Sequence, residues 1–107
     1  MNADTIATPV GTTPARLLKR PGDDRPFVID LAPVLRLHDL ATGVDLAEAP
    51  GLTIGKARTR EGRFAEVVIG GGQASEARPF TDYSLRLIVR TLSGAVEVAV
   101  DVRVIAR

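Results

Sequence analysis

The last quarter of the chain alternates apolar and polar residues almost without interruption. From Tyr83 to Arg90, Leu85, Leu87 and Val89 share one face, with Ser84, Arg86 and Arg90 on the other. From Val96 to Val104 every second residue is valine, and Glu97, Asp101 and Arg103 stand opposite. Successive side chains on a strand point to opposite faces, so a period of two describes a sheet with one dry and one wet face. Two such arms around a Ser93-Gly94 turn read as a long hairpin. This fixes the class as antiparallel all-β. It also predicts burial of Val96, Val98, Val100, Val102 and Val104.

A chain of 107 residues is one domain by length and can enclose one core. Net charge is +1, which provides no broad field to attract nucleic acid or an acidic membrane. The aromatics are Phe27, Phe64, Phe80 and Tyr83, with no Trp. They are too few for a base-stacking platform or an aromatic sugar-binding surface. Without cysteine there is no disulfide and no thiolate for zinc or nucleophilic chemistry. The first residues do not read as a secretion signal. No apolar run approaches the roughly 20 residues that span a bilayer.

Turn signals divide the rest of the chain. Residues 1–15, rich in Thr, Ala and Pro, are expected to form a flexible arm, and residues 16–107 a β-sandwich domain. Leu17 and Leu18 open a short strand before a turn at residues 21–24. Phe27, Ile29 and Leu31 mark one face of the next strand. Residues 33–40 allow one or two helical turns, ended by residues 41–43. Residues 44–46 lead into a turn at 49–51, and strands follow at 52–60 and 64–69, joined at Glu61-Gly62. Gly70, Gly71 and Gly72 read as a loop that continues to Pro79. The expectation is a sandwich of about six or seven strands, with at most one short helix.

The inventory of reactive groups is thin. His38 and Asp39 adjoin, but neighbouring residues point apart on a strand and lie about 100° apart on a helix, so they are poorly placed as a dyad. The glycine run lacks the Lys-Ser or Lys-Thr pair of a phosphate loop. Asp23, Asp24 and Asp30 do not make a calcium loop. No catalytic residue, metal site or cofactor is expected. Lys56, Arg58, Arg60 and Arg63 form a local basic cluster. It reads either as a solvated strand face that blunts edge pairing or as a contact for an acidic neighbour.

The order of these pieces resembles the fiber–tail adaptor family, small immunoglobulin-like virion proteins of tailed phages and phage-derived particles. The matching pieces are Lys19-Arg20-Pro21, residues 29–35, Leu52-Thr53-Ile54, residues 67–72, residues 83–94 and residues 98–104. The resemblance covers residues 17–106. It implies an immunoglobulin-like sandwich repeated around a tail, baseplate or neck and joining it to fiber or spike proteins. It also implies assembly in the host cytoplasm into the virion tail region, in many copies, with other virion proteins as partners and neither nucleic acid nor membrane. Under that reading the partner-binding residues are Thr5, Pro9, Thr12 and Pro14 in the arm, Lys56, Arg58, Arg60 and Arg63 on the basic strand, and Gly70, Gly71, Gly72, Gln73 and Arg78 in the glycine-rich loop. The alternative is a free-standing immunoglobulin-like module that binds a protein or carbohydrate.

Overall fold

The computed structural model describes residues 6–8 and 14–106. Eight strands form two four-stranded sheets packed face to face: β1 (Ile6–Ala7), β2 (Ala15–Lys19), β3 (Arg25–Asp30), β4 (Ala41–Glu48), β5 (Leu52–Arg60), β6 (Phe64–Gly71), β7 (Phe80–Thr91) and β8 (Gly94–Ile105). One sheet has the order β1-β3-β6-β5 and the other β2-β8-β7-β4. Strands β2 to β8 follow the order of an immunoglobulin-like sandwich, with β2 seated beside the last strand, while β1 is an added edge strand that runs parallel to β3. The all-β sandwich read from the alternation is therefore the fold, and seven of its strands have five residues or more.

The core follows the period of two. Phe27, Ile29 and Leu31 meet Ala65, Val67 and Ile69 on one sheet. Leu85, Leu87 and Val89 meet Val98, Val100, Val102 and Val104 on the other. Leu85 lies opposite Val100 and Leu87 opposite Val98, so the hairpin closes in the register that the alternation predicts. Val96, nearest the turn, is only half-buried, packed against the edge of the core.

Several local expectations are corrected. Two of the six strand pairings are parallel: β1 with β3, and β2 with β8. The hairpin turn centres on Leu92 and Ser93, since Thr91 and Gly94 are already paired. Residues 41–43 open β4 rather than ending a helix, and the helical segment is a single 3-10 turn at Ala32–Val34. Gly70 and Gly71 continue β6, opposite Thr53 and Leu52, so the loop begins at Gly72.

The expected arm is tied down before residue 16. Ala15 opens β2 and is fully buried, Pro14 before it is half-buried, and Ile6–Ala7 lies along β3. Thr5, Pro9 and Thr12 lie outside the described residues.

Edges are managed by irregularity. The β4 register slips twice, and the β5 register slips between Ile54 and Ala57, where Gly55 and Lys56 bulge. Bulges twist an edge away from further pairing. On edge strand β2 the inward series Ala15, Leu17 ends in Lys19, which is 3% exposed. Its ammonium donates to the Arg20 and Gly71 carbonyls at 2.8 Å each, bridging the two sheets.

Tyr83 sits near the start of β7, where its ring packs against the core, and its hydroxyl accepts the Gln73 N–H at 2.9 Å. A tyrosine at the start of this strand bonded to the backbone of the preceding connection is the tyrosine corner of immunoglobulin-like sandwiches. It fixes the path of residues 72–79.

Candidate functional site

The basic strand folds into a self-neutralised lattice. Arg58, Arg60 and Glu66 share the outer face of β5 and β6, because Arg58 pairs with Glu66 and Arg60 with Phe64 in register. Arg58 Nε donates to Glu66 Oε1 at 2.6 Å, and Arg60 Nη1 to Oε2 at 2.7 Å. Arg63, beyond the Glu61-Gly62 turn, grips Asp30 on β3 with a two-pronged fork, both bonds 2.9 Å long. The Arg60 and Arg63 guanidinium groups also stand 5.4 and 5.1 Å from the centre of the Phe64 ring. Three of the four cations expected to meet an acidic neighbour therefore meet acids of their own sheet. Lys56, on the bulge, is exposed and has no acidic partner among the described residues.

The fork to Arg63 holds the Asp30 carboxyl below the ordinary carboxylate range; desolvation opposes this and the Ala32 N–H supports it. A carboxylate with a lowered folded pKa stabilises the fold above its unfolded value, and that contribution is lost as pH falls through the folded value. Arg63→Gln is expected to move the Asp30 midpoint upward in a carboxyl-detected NMR titration. An unchanged midpoint would show that the fork does not form in solution.

The end of the sandwich that holds Tyr83 carries a cleft. It is about 360 Å³ in volume, and its walls include Pro21 from the β2–β3 turn, Gln73, Ser75 and Arg78 from the β6–β7 connection, and Thr81 and Tyr83 from β7. The connection is fastened along its length. Ser75 N–H donates to the Arg78 carbonyl at 2.8 Å, Arg78 N–H returns to the Ser75 carbonyl at 3.1 Å, and Ala106 N–H donates to the Pro79 carbonyl at 2.8 Å. The structure thus brings together Gly72, Gln73 and Arg78. It separates them from Gly70, which is buried within β6, and from the basic strand.

The opposite end carries exposed leucines beside Arg36, His38 and Asp39. The β3–β4 connection and the β7–β8 turn present Leu37, Leu40 and Leu92, exposed by 88%, 50% and 66%. Their backbones are held together: Leu92 N–H donates to the Leu40 carbonyl at 3.2 Å, and Ala41 N–H to the Gly62 carbonyl at 2.8 Å. Ser93 Oγ donates to Asp39 Oδ2 at 2.5 Å, the main cause of a lowered Asp39 pKa. Asp39 is thus committed to the turn and to the Leu40 N–H, not to His38, whose φ of 65° puts it in the left-handed region. Leu37, His38 and Leu92 border a shallow hollow of about 220 Å³. In the sequence Leu37 and Leu40 fall in the segment that allows helical turns, and Leu92 at the end of the first hairpin arm. The usable signal was leucine at loop positions, where apolar side chains have no core to enter.

Among the described residues no three acids or histidines stand together as a metal site, and no helix is long and apolar enough to cross a membrane. Compared with known proteins, the chain matches no family model, no curated protein and no solved structure.

Proposed function

We propose that this chain is a structural virion protein of a tailed phage or phage-like particle, a small adaptor subunit that joins the tail, baseplate or neck to fiber or spike proteins. The observation that carries the reading is that its two ends differ in chemistry. One end presents three exposed leucines and the other a polar cleft with an arginine. Tyr83 and Leu92 are nine residues apart along one strand and its turn, so the ends stand roughly 30 Å apart. A rigid spacer with unlike ends suits a part that contacts two different partners. Repetition around a symmetric particle multiplies contacts that are individually modest. The resemblance of residues 17–106 to the adaptor family supplies the setting.

The direct test is quantitative mass spectrometry of purified particles, measuring copies of this chain per tail-tube subunit. A fixed ratio consistent with a ring or a set of fibers supports the adaptor. Its absence from particles, with the protein free in the cytoplasm, would sink it. The leucine end also favours the alternative of a free-standing binding module, because the β3–β4 and β7–β8 loops are those that immunoglobulin-like variable domains use for recognition.

The leucine end makes its own prediction. Exposed apolar clusters mark interaction surfaces, and burying one leucine side chain contributes about 1.5–3 kcal/mol. Replacing Leu37 and Leu92 together with serine is expected to change stability to unfolding by less than about 1 kcal/mol, since both side chains face solvent. The same change should strip the protein from particles. Wild-type incorporation by the double variant would show that this end makes no contact.

A further inference from the structure

We propose that the cleft at the tyrosine-corner end binds a carboxylate side chain carried on an acidic segment of a partner protein. The inference rests on the adaptor reading for the partner's setting, and on the cleft's own chemistry for the ligand.

Six arginines of the sheet faces are held by acids of this chain. Arg58 and Arg60 share Glu66, Arg63 takes Asp30, Arg86 takes Glu48, Arg90 takes Asp45, and Arg103 takes Asp82. Arg78, like Arg16, Arg20 and Arg36, stands outside that pattern, and of these four it is the one that lines this cleft. It is exposed, it lines the cleft, and it makes no ion pair among the described residues, Glu76 two positions away included. Among the described residues the walls hold this one cation and no acid. An exposed guanidinium at a cleft without an internal anion is a ready fork for an external one.

The surroundings select the ligand. Ser75, Thr81 and Tyr83 bring hydroxyls to the same walls. The Tyr83 oxygen already accepts the Gln73 N–H, which leaves its own hydrogen free to donate. A single guanidinium with neutral donors balances a monoanion; a phosphate dianion would call for more positive charge. A volume of about 360 Å³ falls in the range of small-ligand clefts, enough for a side chain and part of its backbone. The reciprocal Ser75–Arg78 bonds and the Gln73–Tyr83 bond pre-form the loop, so binding need not order it.

The test uses the whole protein, ¹⁵N-labelled, titrated with a terminally blocked pentapeptide bearing a central glutamate. Its glutamine counterpart and inorganic phosphate are titrated in parallel. The glutamate peptide is expected to shift the Gln73, Ser75, Arg78 and Tyr83 amides saturably, with the glutamine peptide at least about tenfold weaker, the factor expected for losing a charge-assisted bond. Arg78→Gln should abolish the response while leaving the rest of the spectrum in place, and Arg36→Gln, at the leucine end, should retain it. Equal response to the two peptides, or shifts centred on Leu37 and Leu92, would overturn the proposal. Saturation by phosphate at lower concentration than by the glutamate peptide would overturn the choice of ligand. Because the titration needs no particle, it fails or succeeds independently of the copy-number measurement.

Discussion

Val100→Asp is expected to abolish the folded domain. Val100 is 1% exposed at the centre of the hydrophobic core, opposite Leu85 on one side and Ala15 on the other. Substitution removes about 1.5–3 kcal/mol of burial and places a carboxylate where no partner faces it. Burying an unpaired charge costs several kcal/mol even after relaxation. A domain of this size has a total stability of about 5–15 kcal/mol, so the sum removes most or all of it. The expected result is loss of the cooperative urea transition by circular dichroism and collapse of amide dispersion by NMR. Ala99→Asp is the matched control: its side chain is exposed on the wet face one residue away, and a change within about 1 kcal/mol is expected. If the two variants unfold at similar denaturant concentrations, the register of the last hairpin is wrong.

Gly72→Ala is expected to be strongly destabilising. Gly72 leaves β6 with φ +83°, in the left-handed region, where an L side chain costs about 1–2 kcal/mol. A Cβ there would stand 2.5 Å from Val104 Cγ2 and 3.3 Å from the Tyr83 ring. Val104 is fully buried and cannot step aside, and overpacking of this kind costs about 1–3 kcal/mol more. The total, about 2–5 kcal/mol, is expected to lower the melting temperature by about 10 °C or more. Gly22→Ala separates the two causes. Its φ is +87°, but nothing lies within 4 Å of the added carbon, so only the backbone cost remains. A Gly72→Ala protein no less stable than Gly22→Ala would mean that Val104 and Tyr83 do not close over this position.

The lattice around Phe64 shows how residue counting misleads about charge. Lys56, Arg58, Arg60 and Arg63 are close in sequence, so they read as a basic patch. Glu66 is six to eight residues from its two arginines, and Asp30 is thirty-three residues from Arg63. The neutralising acids arrive from a neighbouring strand and from across the sheet. Which of them lies opposite which cation depends on register, and the β5 bulge at Gly55 and Lys56 resets that register. The glycine run misled for a similar reason. Three consecutive glycines favour a loop locally, yet Gly70 and Gly71 are held in β6 by pairing with Thr53 and Leu52.

Local chemistry was sufficient for the strands, the dry face of the hairpin and the all-β class. A period of two can be satisfied only by a sheet, and a strand with one apolar face must bury it. The turns at residues 21–24, 49–51 and 61–62 were likewise legible, because glycine, proline and aspartate act on their own backbone. Everything that depends on which strand lies beside which came only with the tertiary structure. That includes the parallel seat of β2 against β8, the crossing of Lys19 to the Gly71 carbonyl, and the pairing of the basic strand with its own acids. It also includes the two unlike ends, since Leu37 meets Leu92, and Pro21 meets Arg78, only after the chain has folded. Side-chain alternation is a property of neighbours in sequence, whereas a site is a property of neighbours in space.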